Sequence, residues 1–181
     1  MQYQDCVGAE QVAARPPEGA PSAAHERGLG LADANINPLT GLATDYLNHF
    51  NEAIMLLEML SSCPDCLDDF LTWRPVSYRE HFMASRFRGR DLAIAAYDDA
   101  DPRVRECFDR LADTMTDVLE ATRSTMTAGM SPQAAGALAE CSAGWLKTLV
   151  ARAGAVINGE VDTATPGAPQ AAVDGLMRRS G

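Results

Sequence analysis

Between residues 102 and 128, apolar side chains return every three or four positions: Val104, Phe108, Leu111, Met115, Val118, Leu119, Thr122 and Met126. Glu106, Asp109, Asp113, Asp117 and Glu120 fall together on the other side. A period near 3.6 residues with one apolar and one acidic face predicts a long amphipathic helix that must be covered along one side. Asp101–Pro102 opens it, because a proline at the first helical position has no N–H to leave unpaired, and Gly129 closes it.

Three further long patterns supply the cover. The first starts at Asn37–Pro38 or a few residues later and runs to about Ser61, with Leu42, Tyr46, Phe50, Ala53, Ile54, Leu57 and Leu60 on one wide face. The next runs from Ser77 to about Tyr97, and Ser77 with Glu80 three residues on forms a capping box. The last opens at Ser131–Pro132 and runs to about Asn158–Gly159, with a stripe of Leu138, Trp145, Leu146, Leu149, Val150, Val156 and Ile157. A short extra helix is expected at 64–72, opened by Pro64.

Strand signals are nearly absent, and short connections at 98–101 and 129–131 force neighbouring helices to run antiparallel. The expected fold is all-α: an antiparallel four-helix bundle with one short extra helix. The bundle occupies 38–158. Residues 1–37, with Pro16, Pro17, Gly19 and Pro21, read as a disordered N-terminal arm, and 159–181 as a flexible C-terminal tail.

Charge narrows the function classes. The chain has 15 basic and 25 acidic residues, a net charge of −10, and Lys147 is its one lysine. That argues against nucleic acid and anionic membrane as partners, since both demand a basic footprint. Arginine in place of lysine, with abundant alanine, suggests a GC-rich bacterial genome. No stretch near the N-terminus is apolar enough for a signal-peptide core, and no window is apolar enough to span a membrane. Five cysteines, Cys6, Cys63, Cys66, Cys107 and Cys141, then read as reduced thiols of a cytoplasmic protein.

Four residue groups are candidate sites. Asp45, His49 and Glu52 stand at i, i+4 and i+7 on one edge of the first helix. A carboxylate–imidazole–carboxylate row suits Fe or Zn, with His81 the natural ligand from a second helix. The alternative is a boundary histidine hydrogen-bonded within the fold. The chain lacks the Glu-x-x-His pairs of di-iron bundles. Cys63 and Cys66 form a Cys-x-x-Cys pair with redox potential at a helix start, though Asp65, Asp68 and Asp69 oppose a thiolate there.

The third group is basic. Arg79, Arg86 and Arg90 fall in one narrow stripe of the Ser77–Tyr97 helix, with Arg88 to one side. Guanidinium forks bind carboxylates and phosphates, so the stripe suits an acidic partner, or else internal acids. The acidic face at 106–120 is the fourth and reads as solvated. Met55, Met59, Met83, Met115 and Met126 read as core, or as the wall of a sensor pocket. No Gly-rich phosphate loop, Gly-x-Ser-x-Gly elbow or His-Glu-x-x-His is present. The sequence therefore reads as a non-enzymatic interaction or regulatory protein, binding a partner protein or a second copy of itself through Arg79, Arg86, Arg88 and Arg90. A metal-binding bundle is the alternative.

Overall fold

The computed structural model describes residues 28–160 apart from Leu29, Pro64, Phe87, Ala128 and Gly129. The arm up to residue 27, the tail from residue 161, Cys6 and the roles expected of Pro64 and Gly129 lie outside the described residues. The described chain is mainly helical, with no β-strand among the described residues. A 3₁₀ turn at Thr44–Tyr46 leads into α1 (Leu47–Met59). α2 (Cys66–Thr72), α3 (Tyr78–Ala84), α4 (Arg90–Asp99), α5 (Pro102–Thr127) and α6 (Pro132–Ile157) follow.

α6 packs against both α1 and α5. Lys147 pairs with Glu58, and a Cβ on Gly154 would touch Leu47. Rising positions on α6 thus meet falling positions on α1, so the two helices are antiparallel. α5 and α6 are antiparallel as well: α5 ends at Thr127, α6 begins at Pro132, and Thr122 of α5 meets Ser142 of α6 at 2.8 Å.

The expected first-helix face is buried in full, from Leu42 through Tyr46, Phe50, Ala53, Ile54 and Leu57 to Leu60. Its start is corrected. Residues 37–43 form a loop in which the Asn37 side chain accepts from the Leu39 N–H at 2.8 Å, and Ile36 bridges to Ala43. Gly41 takes φ +71 there, a left-handed turn that no helix start contains. Ile36, expected in the arm, is buried in the core, so the packed unit begins before residue 38.

The Ser77–Tyr97 pattern is corrected from one helix to two. Ser85 leaves helical geometry at ψ 156 and its hydroxyl donates to the Phe82 carbonyl at 3.0 Å, ending α3. Gly89 then caps α4. Side-chain-to-backbone bonding by serine outweighs the helical period here.

α5 keeps its expected faces. Phe108, Met115, Leu119, Thr122 and Met126 are buried, and Ala112 joins them. In α6 the stripe is corrected at Trp145, which is 66% exposed; Ala139, Ser142, Ala143, Leu146, Ala153, Val156 and Ile157 carry the buried face instead. A helix flanked by two others needs small residues, and four of these seven are alanine or serine at the seams. Met55, Met59 and Met83, expected in the core, are exposed, whereas Met115 and Met126 are buried.

Candidate functional site

The capping box at Ser77 fixes where α3 begins. The Ser77 hydroxyl accepts from the Glu80 N–H at 3.3 Å, and the Glu80 carboxylate accepts from the Ser77 N–H at 2.8 Å. One turn into α3, His81 thereby comes opposite α1. The His49 and His81 rings lie 6.2 Å apart, centroid to centroid, with Tyr46 5.6 Å from His81. The structure thus brings together the two histidines that the sequence could only suggest as a pair.

Their surroundings are aromatic. His49 stacks on Trp73 at 4.5 Å. Tyr46 packs edge-on to Phe50 and lies 5.3 Å from Tyr78, which in turn stacks on Tyr97 at 4.5 Å. The segment between α2 and α3 is laced to this cluster. The Val76 N–H donates to His49 Nε2 at 3.2 Å, and the Tyr46 hydroxyl donates to the Val76 carbonyl at 2.9 Å. The Ala43 N–H donates to the Tyr78 hydroxyl at 2.9 Å.

Burial sets the protonation of this cluster. Desolvation, then the neighbouring His81, lowers the His49 pKa to about 4, while a hydrogen bond with the Arg74 backbone works the other way. His81 is lowered by burial and raised in part by Asp45. Both imidazoles are thus neutral at neutral pH. The Tyr46 and Tyr78 hydroxyls are raised by burial, so they stay protonated.

As a ligand set these residues are incomplete. The Nε2 lone pair of His49 is occupied by the Val76 N–H, and Glu52 is exposed to solvent. Among the described residues, no three His, Cys, Asp or Glu side chains converge as a metal-ligand group.

At the start of α2, Cys66 is buried and Cys63 half-buried, and both thiols are free. The Cys66 thiol is pushed up to about 11, first by its hydrogen bond with Cys63, then by burial and the nearby Asp69 and Asp65. It is therefore held as a thiol, the opposite of an activated nucleophile.

The arginines do not share one helix. Arg79 lies on α3 and pairs with Asp98 of α4; Arg86 and Arg88 lie in the break; Arg90 opens α4 and meets Asp91 at 3.4 Å. The expected stripe on a single helix is thus corrected to a cluster around the break. Arg86 and Arg88 are exposed and have no ion pair among the described residues. Exposed apolar side chains flank them: Met83 is 68% and Leu92 39% exposed.

The acidic face of α5 is solvated at Glu106, Asp113, Asp117 and Glu120. Asp109 is half-buried and accepts from the Tyr97 hydroxyl through both oxygens, at 2.8 and 3.0 Å. Burial raises its pKa. Sequence reasoning missed this partner because Tyr97 is placed by the α3–α4 break.

Two clefts open on the surface. One, of about 580 Å³, lies between the end of α2 and the 120–127 stretch of α5, with Arg74 and Arg123 in its wall. The other, of about 240 Å³, is the α5–α6 groove beside Trp145. Neither was signalled by sequence spacing. No helix among the described residues is long and apolar enough to cross a membrane. No protein-family model matches this chain, nor does any curated protein or solved structure.

Proposed function

We propose that the chain is a non-enzymatic interaction protein whose contact surface is the α3–α4 break. The observation that carries this reading is the pairing of exposed charge with exposed apolar surface: Arg86 and Arg88, which have no ion pair among the described residues, stand between Met83 and Leu92. Apolar anchors rimmed by guanidinium groups are the composition of a protein-binding patch. Arg79 and Arg90, paired to Asp98 and Asp91, border it. The partner surface is acidic, and a second copy of this chain offers one in the solvated face of α5. On the same reading the helices close as an antiparallel four-helix bundle, with α3 and α4 together forming one wall. The buried contacts of Phe108 with Tyr46 and Tyr78, at 5.9 Å each, support that closure.

Sedimentation at rising protein concentration, for the wild type and for Arg86→Glu/Arg88→Glu, tests self-association first. A salt-sensitive dimer lost in the variant supports the reading. For a monomer, the test moves to binding of acidic helical peptides by fluorescence anisotropy. The reading fails if neither protein associates and both bind such peptides alike.

A metal-binding function is the second reading, favoured by the 6.2 Å approach of His49 to His81 and by the field of Asp45 at His81. Fe or Zn on Asp45, His49, Glu52 and His81 requires His49 to release the Val76 N–H and Glu52 to turn inward. Elemental analysis of protein purified without chelator, beside His49→Ala, decides it: stoichiometric metal lost in the variant supports a centre, and none in either sample ends that reading.

A further inference from the structure

The cleft between α2 and α5 holds two cations, Arg74 and Arg123, against one loosely placed acid, Glu120. Arg74 Nη1 donates to the Leu71 carbonyl at 2.6 Å and to the Trp73 carbonyl at 2.8 Å. Arg123 Nη1 donates to that same Trp73 carbonyl at 3.0 Å. One carbonyl oxygen therefore fixes both guanidinium groups, and their Nη1 atoms can be no farther apart than the sum of those two distances. The third charged group in the wall is Glu120, whose carboxylate stays 3.7 Å from Arg123 Nη2, beyond hydrogen-bond length.

Each guanidinium carries five N–H groups, so most of those on Arg74 and Arg123 have no partner among the described residues. The Ser124 hydroxyl in the same wall has none either. The Thr127 hydroxyl spends its proton on the Arg123 and Ser124 carbonyls, at 3.2 and 2.9 Å, and can only accept. Leu71 supplies an apolar side. In a chain of net charge −10, two like charges held side by side against one loosely placed acid leave a local positive potential. The space, about 580 Å³, is the size of a small-molecule pocket.

We propose that this cleft binds a small organic oxyanion, a carboxylate or a phosphate, gripped between Arg74 and Arg123. Ser124 donates a third hydrogen bond and Leu71 covers the ligand's apolar part. The arginines are pre-set by the Trp73 carbonyl, so binding orders little that is not already ordered. Both oxyanion classes match a guanidinium fork. Glu120 is the internal competitor for Arg123, and a bound oxyanion takes its place. The proposal is independent of the α3–α4 surface.

The test uses the full chain carrying Trp145→Phe, so that fluorescence reports on Trp73, whose carbonyl both arginines hold. Acetate and inorganic phosphate are titrated separately at constant ionic strength set with chloride. We expect a saturable response to at least one probe. Arg123→Gln should weaken it about tenfold or more, the equivalent of losing one charged hydrogen bond. Glu120→Gln should tighten it severalfold, a gain that a misfolded variant cannot produce. Saturation by acetate alone assigns a carboxylate ligand and by phosphate alone a phosphate; saturation by both supports the shared site. No saturable response to either probe overturns the proposal, as does an identical response in Arg123→Gln with unchanged helical circular dichroism.

Discussion

The His49 imidazole lies on the Trp73 indole, ring centroids 4.5 Å apart and planes inclined by 24°. The same ring accepts from the Val76 N–H. One neutral side chain therefore holds the α2–α3 connection to α1 from two directions. Protonation would remove the acceptor and place a charge among aromatic rings.

Stability should consequently fall in acid. Burial lowers the His49 pKa to about 4 from an ordinary value near 6.5. Between those values the unfolded chain binds a proton that the folded chain refuses, so folding weakens as pH drops through that window and is unaffected above it. The loss should approach about 2 kcal/mol once solvent screening at the half-buried ring is allowed for. Urea unfolding at pH 7.5, 6 and 4.5 measures it. His49→Phe keeps the stack but cannot titrate, and its stability should vary less with pH than the wild type's. Parallel slopes would show that another group controls the acid response.

A buried hydroxyl pair ties α5 to α6. Thr122 Oγ1 and Ser142 Oγ are 2.8 Å apart, and the Thr122 hydroxyl also donates to the Val118 carbonyl at 2.7 Å. The threonine's one proton is thus spent on its own helix, so Ser142 must be the donor across the seam. Thr122→Val removes the acceptor and strands that donor, at about 1–3 kcal/mol. Thr122→Val/Ser142→Ala removes both groups and should cost less than Thr122→Val alone. Chemical denaturation of the three proteins checks this ordering, which a simple loss of packing would not give.

The legible part of the fold is that governed by long, unbroken periodicity. Seven positions from Leu42 to Leu60 were expected on one face, and all seven are buried: Phe50, Ala53, Ile54 and Leu57 follow the 3.6-residue period within α1, whereas Leu42 is buried in the loop that precedes it. The break at Ser85–Gly89 was hidden because Arg79, Arg86 and Arg90 keep a helical spacing across it, while the local hydrogen bond of Ser85 ends the helix. Trp145 was misplaced for another reason. α6 packs on two neighbours, so four of its seven buried residues are alanine or serine and the largest apolar side chain is left outside. At the site, the facing of His49 and His81 and the Trp73 anchor for two arginines depend on tertiary approach, which no spacing encodes.

The start of α3 rests on a reciprocal pair of bonds between Ser77 and Glu80. Ser77→Ala removes an acceptor from the Glu80 N–H and should cost about 1 kcal/mol. Because α3 carries the buried Tyr78 and Phe82, the loss should appear as global destabilisation in thermal melts rather than as local fraying. Ser77→Asp restores the acceptor and should recover most of the stability.

Gly41 is the position where a single methyl group should do most damage. Its φ of +71 lies in the left-handed region, and an added Cβ would come 2.6 Å from the Ala96 carbonyl oxygen and 3.2 Å from the carbonyl carbon. The left-handed backbone alone costs a non-glycine residue about 1 kcal/mol. The clash is with α4 backbone, which cannot swing aside as a flexible side chain would. It would also displace the neighbouring Thr40, whose buried hydroxyl donates to the Ile157 carbonyl at the end of α6 at 2.7 Å. Gly41→Ala should therefore destabilise by more than about 2 kcal/mol. Gly30→Ala, where an added Cβ meets nothing within 4 Å, is the control and should be neutral or slightly stabilising. Equal urea midpoints for the two variants would show that the 37–43 loop can move away from α4, and that Gly41 is not what holds the loop against it.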